Sequence, residues 1–312
     1  MDKKDARIIF MGTPEISAKV LRGLIDDGYN IVALIAQPDR PVGRKKIILP
    51  VPTKQVALEH NIPIYQPVKI RNDYEYIREL KPDVIVTLAY GQIVPQGLLD
   101  IPTIGCINLH GSLLPKYRGA APIQYALINN EKETGMTLMK MIKEMDAGEM
   151  YDKEVVEISN EDNCTSLFEK MGDAALRLIL RALPKYLNHE LIGVPQDESL
   201  VSFCPTIKPE EEKLDLTKTK EELFGYIRAL SDEPGAYLFI DEQKLKVFKA
   251  QIISDEMLGE VGEIVKADKN GLYLQTKNGL LSLLIVQKEG KNRIGYKDFV
   301  NGNKGLLHKI LK

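Results

Sequence analysis

The stretch that decides the fold is RIIFMGTPEISAKVLRGLIDDGYNIVALIAQ, residues 7–37. An apolar run ends at Gly12, and from Pro14 onward apolar residues recur at the spacing of a helix. These recurring residues are Ile16, Val20, Leu21 and Leu24. Gly28 ends the predicted helix, and a second apolar run follows at 30–37. A strand–helix–strand unit with continuously apolar strands predicts a parallel sheet covered on both faces.

The same alternation continues toward residue 187. Four further apolar runs are predicted strands: IPIY (62–65), DVIVTLAYG (83–91), CINLHGS (106–112) and MTLMKMI (136–142). DYEYIREL (73–80) is predicted to be helical, and a last helix is predicted over 166–187. The pattern predicts an α/β domain with an open, doubly wound, mostly parallel sheet of the Rossmann-like kind.

Beyond residue 187 the pattern changes. Residues 188–205 have turn residues and no clear period, so we predict a linker. A helix, KEELFGYIRAL (220–230), is followed by short β-type runs, two of which are bounded by Lys-Asn-Gly turns. We therefore predict a catalytic domain at 1–187, a linker at 188–205 and a smaller OB-like β-barrel domain at 206–312.

Composition narrows the class of protein. The net charge of −2 points to no global affinity for a polyanion or a membrane. The three cysteines form no CxxC pair, which argues against a disulfide framework or a zinc site. No signal peptide or run of about 20 apolar residues is found, so we expect a cytoplasmic protein. The opening loop MGTPE lacks the glycine patterns that cradle phosphates, which argues against a nicotinamide or triphosphate cofactor.

The most informative stretch for chemistry is GCINLHGSLLPKYRGAAPIQYAL, residues 105–127. Asn108 and His110 lie two residues apart near the end of a predicted strand, so both side chains share one face. An amide can donate to a developing oxyanion, and an imidazole can donate or move a proton. The alternative is a packed histidine with no catalytic role.

A carboxylate follows in TGMTLMKMIKEMDAGEM, residues 134–150. Asp146 occupies the turn after a predicted strand. Such an aspartate is commonly a turn residue that binds local main chain. If it lies beside the imidazole, it can orient the ring.

Two segments are basic. Residues 39–54 hold five basic side chains and one acidic one, together with three prolines, and we predict a long loop without secondary structure. Residues 243–312 hold 13 basic and 7 acidic side chains, a net +6. Both are suited to contact phosphates, and the segment at 39–54 is also suited to contact bases of RNA. The alternative for each is a solvated surface.

The motifs NLHGSLLPKYRG and AAPIQ resemble the signature of the 10-formyltetrahydrofolate-dependent formyltransferases. The resemblance extends from about residue 7 to about residue 301, and the basic segment resembles an insertion of those members that formylate methionyl-tRNA. It implies a catalytic triad of Asn108, His110 and Asp146, a folate co-substrate and no metal. Transfer of a formyl group to the α-amine of methionine on initiator tRNA, for translation initiation, is the implied reaction.

The resemblance also implies binding residues. The implied folate-lining residues are Leu88, Tyr90, Gly91, Ile93, Ser112, Leu113, Leu114 and Pro115. The implied tRNA contacts are Arg40, Arg44, Lys45 and Lys46, with Arg44 as the foremost.

Three other functions are open. A sugar-nucleotide N-formyltransferase shares the catalytic words, but the basic segment argues against it. A glycinamide-ribonucleotide formyltransferase has no need of a second domain. A non-catalytic RNA-binding protein on the same scaffold has no need of an intact triad.

Overall fold

A computed structural model describes residues 1–42 and 47–312, with the main chain alone at Val42. The chain forms two compact units. Unit 1 comprises Met1–Gly119, Thr134–Glu157 and Phe168–Cys204, and unit 2 comprises Ala120–Glu133, Ile158–Leu167 and Pro205–Lys312.

The strands of the described residues are as follows, in chain order. They are β1 (Ile8–Gly12), β2 (Ile31–Ile35), β3 (Arg40–Val42), β4 (Ile47–Leu49), β5 (Ile64–Tyr65), β6 (Val84–Leu88), β7 (Gly105–His110), β8 (Arg118–Gly119), β9 (Glu133–Lys140), β10 (Met150–Glu157), β11 (Phe203–Cys204), β12 (Ala236–Ile240), β13 (Gln243–Ser254), β14 (Ile264–Asp268), β15 (Gly271–Thr276), β16 (Gly279–Lys288) and β17 (Ile294–Gly295). The helices are α1 (Glu15–Asp26), α2 (Pro52–Glu59), α3 (Gln96–Leu99), α4 (Pro122–Ile128), α5 (Cys164–Leu187), α6 (Lys220–Ala229) and α7 (Tyr296–Gly302).

Unit 1 is built on a seven-stranded sheet with the order β10-β9-β7-β6-β1-β2-β5. The five strands β7, β6, β1, β2 and β5 run parallel, which confirms the predicted mostly parallel sheet. The strand order reverses beside β1, since β2 lies on one side of it and β6 on the other. In open α/β sheets, ligands bind outside the carboxyl ends of the strands at such a reversal.

Burial explains why the central strands are apolar at nearly every position. All five residues of β1 and all five of β6 are buried. Alternate residues of neighbouring strands align, as Ile9, Ile85 and Cys106 do, and pack on one face of the sheet. The two residues that follow Cys106 at the same period are Asn108 and His110, so the apolar core on this face leads directly to the polar site.

Several details differ from the sequence prediction. MTLMKMI forms a strand, β9, but it runs antiparallel to β7. DYEYIREL contains only a single 3-10 turn at Glu75–Arg78, in which Ile77 alone is buried. The helices α2 and α4 and the strand β10 were not predicted. The predicted loop at 39–54 is wrong in part, because β3 pairs with β4 and α2 begins at Pro52.

Unit 2 contains a six-stranded antiparallel sheet with the order β12-β13-β16-β15-β14, and β17 pairs with β16. The two Lys-Asn-Gly turns form hairpins, as predicted, because Asp268 pairs with Gly271 and Thr276 pairs with Gly279. The helix α6 and this sheet share a core of leucine, isoleucine, valine and phenylalanine side chains. A C-terminal domain of antiparallel strands is thereby confirmed.

Residues 188–204, which follow α5, belong to unit 1 and pair with its strands at two places. Val194 and Met150 form an antiparallel bridge with two main-chain hydrogen bonds. Further on, β11 pairs in parallel with β8. We call residues Gln196–Cys204 the strap.

No helix within the described residues is long and apolar enough to cross a bilayer.

Candidate active site

The strand β7 carries Asn108 and His110 at its carboxyl end. Asn108 is partly exposed and His110 is 5% exposed. The parallel register places Asn108 beside Thr87 of β6, and the antiparallel register places His110 beside Thr137 of β9. The Thr87 hydroxyl is buried and has no hydrogen-bond partner among the described residues. Two successive rows of this sheet face therefore carry polar pairs, Asn108 with Thr87 and His110 with Thr137, beyond the apolar row of Cys106.

The ring of His110 is held at both nitrogens. Its Nε2 lies 2.7 Å from the main-chain oxygen of Tyr117. A carbonyl oxygen only accepts, so Nε2 carries a proton and donates it to Tyr117. The other nitrogen, Nδ1, lies 3.6 Å from Oδ2 of Asp146. In the neutral ring, Nδ1 is therefore the nitrogen that can gain a proton, and that proton faces a carboxylate.

Asp146 reaches the ring from the turn that follows β9. Its φ of 53° is left-handed, a conformation in which aspartate is among the few common non-glycine residues. The main-chain N–H of Gly119 donates to Oδ2 at 2.9 Å, so a second loop fixes the carboxylate. The side chain of Asp146 is 15% exposed. The structure thus brings Asp146 beside His110 and places Asn108 two residues before His110 on the same face of β7.

The strap contributes contacts that the sequence analysis missed. Gln196 binds both the Asp146 turn and Arg118, and the Ser202 hydroxyl accepts a hydrogen bond from the N–H of Tyr117 at 3.0 Å. The buried thiol of Cys204 donates to the oxygen of Tyr117 at 3.2 Å, the same oxygen that binds His110. These residues lie in a segment without hydrophobic period, and no sequence pattern marks them.

The residues implied in folate binding lie at the end of β6 and in the two loops that follow β6 and β7. Four are buried and four are partly or fully exposed. The buried ones are Leu88, Tyr90, Ser112 and Leu114, and the others are Gly91, Ile93, Leu113 and Pro115. Thr137 holds the second loop, because its hydroxyl donates to the oxygen of Ser112 at 2.6 Å and accepts from the N–H of Leu114 at 3.2 Å. Ile93 is 81% exposed, so it offers an apolar surface that nothing in the described chain covers.

A cavity of about 420 Å³ lies where β1, β2 and β6 end. Thr13, Gln37 and Tyr90 line it, and the hydroxyl of Thr13 and the amide of Gln37 both donate to the oxygen of Tyr90. Arg40 and Leu49, from the β3–β4 hairpin, also line the cavity. The pocket therefore lies where the strand order reverses, and residues of the basic segment form part of its wall.

The β3–β4 hairpin is anchored at its base. The carboxylate of Asp39 accepts hydrogen bonds from the Lys54 ammonium and the Gln66 amide. Burial raises the Asp39 pKa, but the hydrogen bonds from Lys54, Gln66 and the N–H of Val51 outweigh it, and the pKa lies below its ordinary value of 3.8. Arg40 is exposed, whereas Arg44, Lys45 and Lys46 lie outside the described residues.

No group of three or more His, Cys, Asp or Glu side chains within residues 1–42 and 47–312 is arranged to hold a metal ion. The three cysteines are buried as free thiols, and burial raises the pKa of Cys106 and of Cys164 to about 12. Neither of these two thiols is suited to bind a metal as a thiolate.

Comparison with known proteins agrees with this geometry. Residues 6–183 match the formyl transferase family, and residues 206–304 match the formyl transferase C-terminal domain. The chain is 48% identical over 299 residues to a methionyl-tRNA formyltransferase of Streptococcus pyogenes serotype M28, and the match covers 95% of each chain. Methionyl-tRNA formyltransferases of other serotypes of that species are 46–48% identical over the same length.

Solved structures share the fold at low identity. An N-formyltransferase from Helicobacter canadensis, in complex with folinic acid and dTDP-3-aminofucose, superposes with a TM-score of 0.69 at 19% identity, covering 91% of this chain and 99% of that one. HypX from Aquifex aeolicus, in complex with tetrahydrofolic acid, gives 0.66 at 16% identity, covering 97% and 48%.

The two-domain match defines the chain as a formyltransferase. Its identity to curated relatives along nearly the whole length is more specific, and the chain belongs to the methionyl-tRNA formyltransferase family.

Proposed function

We propose that this protein transfers a formyl group from 10-formyltetrahydrofolate to the α-amine of methionine esterified to initiator tRNA, in the cytoplasm, at the start of translation. The main support is the placement of Asn108, His110 and Asp146 at the carboxyl end of β7. The chain is also 48% identical to a curated methionyl-tRNA formyltransferase. The reaction joins the amine nitrogen to the formyl carbon and breaks the bond from that carbon to N10 of the folate. One proton leaves the amine and one is gained by N10.

Asn108 is assigned to the formyl oxygen. Its amide N–H groups are accessible because the residue is partly exposed at the carboxyl end of β7. Attack by the amine places negative charge on that oxygen, and an N–H donor fixed in advance stabilises the charge without reorganisation. The strand fixes the Asn108 main chain between β6 and β9, which supports the assignment.

His110 and Asp146 are assigned to the protons. Since Nε2 of His110 is bound to Tyr117, Nδ1 is the nitrogen that exchanges a proton, and Asp146 lies 3.6 Å from it. In our proposal Asp146 accepts the proton that the attacking amine loses, directly or through water. Asp146 passes this proton to Nδ1 of His110, and the protonated ring stabilises the oxyanion by its charge and then supplies the same proton to N10.

The folate is assigned to the loops after β6 and β7, at Leu88–Ile93 and Ser112–Pro115. The donor supplies the formyl group already activated on N10. The exposed Ile93 and the partly exposed Leu113 offer apolar surface to a flat ring system, and Thr137 holds the second loop in place. This arrangement needs no metal ion for binding or for the chemistry.

The tRNA is assigned to basic surfaces on each unit. Arg40 of unit 1 is exposed beside the cavity, and Arg44, Lys45 and Lys46 follow it in sequence. The exposed β4 residues Ile47, Ile48 and Leu49 add apolar surface against which bases can stack. In unit 2, the net charge of +6 over residues 243–312 suits contact with phosphates.

An acceptor screen tests the proposal. The purified protein is given 10-formyltetrahydrofolate with methionyl-tRNA, amino-sugar nucleotides or glycinamide ribonucleotide, and the formylated product is identified by mass spectrometry. We expect formyl-methionyl-tRNA and at least about 10³-fold lower kcat/KM for the small acceptors, a ratio typical of sites built for one substrate. Preferred formylation of an amino-sugar nucleotide would replace the proposal with its closest rival.

A further inference from the structure

Gln196 of the strap uses every hydrogen-bonding group of its side chain. Its amide nitrogen donates to the main-chain oxygens of Asp146 at 2.8 Å and Gly148 at 2.9 Å. Its Oε1 accepts from Nε of Arg118 at 3.0 Å. An amide has two N–H groups and one oxygen, so one side chain joins the Asp146 turn to the loop that carries Arg118.

The two segments joined by Gln196 meet again at the carboxylate. Gly119, which follows Arg118, donates its N–H to Oδ2 of Asp146. The same oxygen lies 3.6 Å from Nδ1 of His110. The separation of carboxylate and imidazole therefore depends on how the turn and the loop are held relative to each other.

The neighbouring contacts leave Gln196 little freedom. Arg118 is 5% exposed, and its Nη2 donates to Glu198 of the strap at 2.8 Å. The pairing of β11 with β8 brings the strap against Gly119, where an added Cβ would lie 2.7 Å from the oxygen of Cys204. The strap is thus packed closely along the loop, and Gln196 projects from it to the turn.

We infer that Gln196 is a positioning residue for formyl transfer, which acts by holding the Asp146 turn so that the carboxylate faces His110. The inference rests on the proposed roles of Asp146 and His110. A displacement of about 1 Å at reacting groups can cost on the order of 10²-fold in rate, so the loss of two hydrogen bonds to the turn and one to Arg118 is sufficient to matter.

The first test compares two substitutions at residue 196. Gln196→Met keeps the length of the side chain and removes all three hydrogen bonds. Gln196→Glu keeps an acceptor for Arg118 but places a carboxylate against the two main-chain oxygens of the turn. We expect both to lower kcat at least about tenfold, with KM for 10-formyltetrahydrofolate changed less than about twofold. If Gln196→Glu retained wild-type kcat, Gln196 would serve only as a partner of Arg118 and the inference would be wrong.

A matched control lies three residues further along the chain. The Ser199 hydroxyl bonds only the exposed carboxylate of Asp197 among the described residues, so Ser199→Ala changes the strap without touching the turn. We expect wild-type kcat for Ser199→Ala. A loss equal to that of Gln196→Met would mean that any change in the strap is harmful, and the specific role would be refuted.

A double-mutant comparison with Asp146 distinguishes a positioning role of Gln196 from a general effect on folding. If Gln196 acts through Asp146, then adding Gln196→Met to an Asp146→Asn protein should lower kcat further by less than about twofold. Full additivity of the two losses would overturn the inference.

A spectroscopic readout is independent of any acceptor. The chain has four histidines, so the ring nitrogens of His110 can be assigned by NMR with single-histidine variants. In Gln196→Met the Nδ1 shift of His110 should move toward its value in Asp146→Asn, while Ser199→Ala should leave it unchanged. An unmoved shift in Gln196→Met would refute the inference, whereas failure of methionyl-tRNA as an acceptor would refute only the proposed function.

Discussion

The His110–Asp146 pair and the β3–β4 hairpin both follow strand ends of the same sheet, and they are held in opposite ways. The side chains of His110 and Asp146 are 6% and 15% exposed, and hydrogen bonds to two other segments, the one that carries Tyr117 and Gly119 and the strap, hold them. The three residues of β4, in contrast, are each about half exposed or more, and the hairpin is tied at its base through Asp39. The proposed reacting groups are therefore fixed by the fold, whereas β4 keeps its side chains exposed, as the proposed contact with a large substrate requires.

The largest effect should come from the buried site. We predict that Asn108→Ala or His110→Ala lowers kcat by about 10²-fold or more, the usual scale for loss of an oxyanion or proton-transfer group. Single-turnover kinetics with methionyl-tRNA would measure it, after circular dichroism has verified folding. His308→Ala is the matched control, because His308 also pairs with a carboxylate, that of Glu263, but at the surface. Near-wild-type turnover by a folded His110→Ala protein would remove the assignment.

The next effect should come from the basic segment. We predict that Arg44→Ala lowers kcat/KM for methionyl-tRNA about tenfold, through both kcat and KM, because a misplaced acceptor end harms chemistry as well as binding. KM for 10-formyltetrahydrofolate should stay unchanged. Steady-state kinetics with each substrate varied in turn would show this. An unchanged kcat/KM would identify the segment as a solvated insertion. The contrast drawn above between a buried site and an exposed substrate-binding segment would then fail.

A smaller effect should follow from releasing the base of the hairpin. Asp39→Asn removes the charge that binds Lys54, and we predict a loss of roughly threefold in kcat/KM for methionyl-tRNA, in line with a partly exposed ion pair. The pKa of Asp39 is lowered, so its contribution to stability is complete above about pH 3.8 and is lost only as the pH falls through the lowered pKa. The ratio of wild type to variant should therefore be constant from about pH 6 to about pH 8. A ratio that changed in this range would assign the effect to another group.

The smallest effect should come from unit 2. Lys291 and Lys304 are exposed, and we predict that replacing both with glutamine mainly raises KM for methionyl-tRNA. The dependence of binding on salt should flatten by about one unit for each phosphate that is no longer neutralised. Lys288 and Arg293 are unsuitable for this test, because Lys288 bonds Asn303 and Arg293 pairs with Asp232 and stacks on Phe248. Binding measured over a salt series would decide, and an unchanged slope would place the phosphate-binding residues elsewhere.

The sequence predicted that Asn108 and His110 share one strand face, but it did not predict the contacts that hold the proposed site in place. The spacing of Asn108 and His110 follows from the period of a strand, and the Lys-Asn-Gly turns follow from glycine-dependent turn geometry. The direction of β9 was not predictable, since apolar periodicity is the same for parallel and antiparallel strands. DYEYIREL has helical spacing, but Tyr76 stacks on Tyr65 with ring centroids 4.5 Å apart, and a single turn satisfies that contact.

Gln196 shows most clearly which contacts the sequence alone does not predict. Its contacts are to main-chain oxygens and to one buried arginine, and neither kind of contact imposes a repeat on the sequence. Such contacts become visible only when distant segments are brought together in space.

The position of the strap also bears on how such enzymes can be divided and recombined. It lies between the two stretches that match the family, 6–183 and 206–304, and belongs to neither. A chimera that joined the first stretch of this chain to the second stretch of a relative at residue 187 would import a foreign strap beside Arg118 and the Asp146 turn. Exchange after Cys204 keeps those partners together, so a graft meant to change acceptor choice should be joined there.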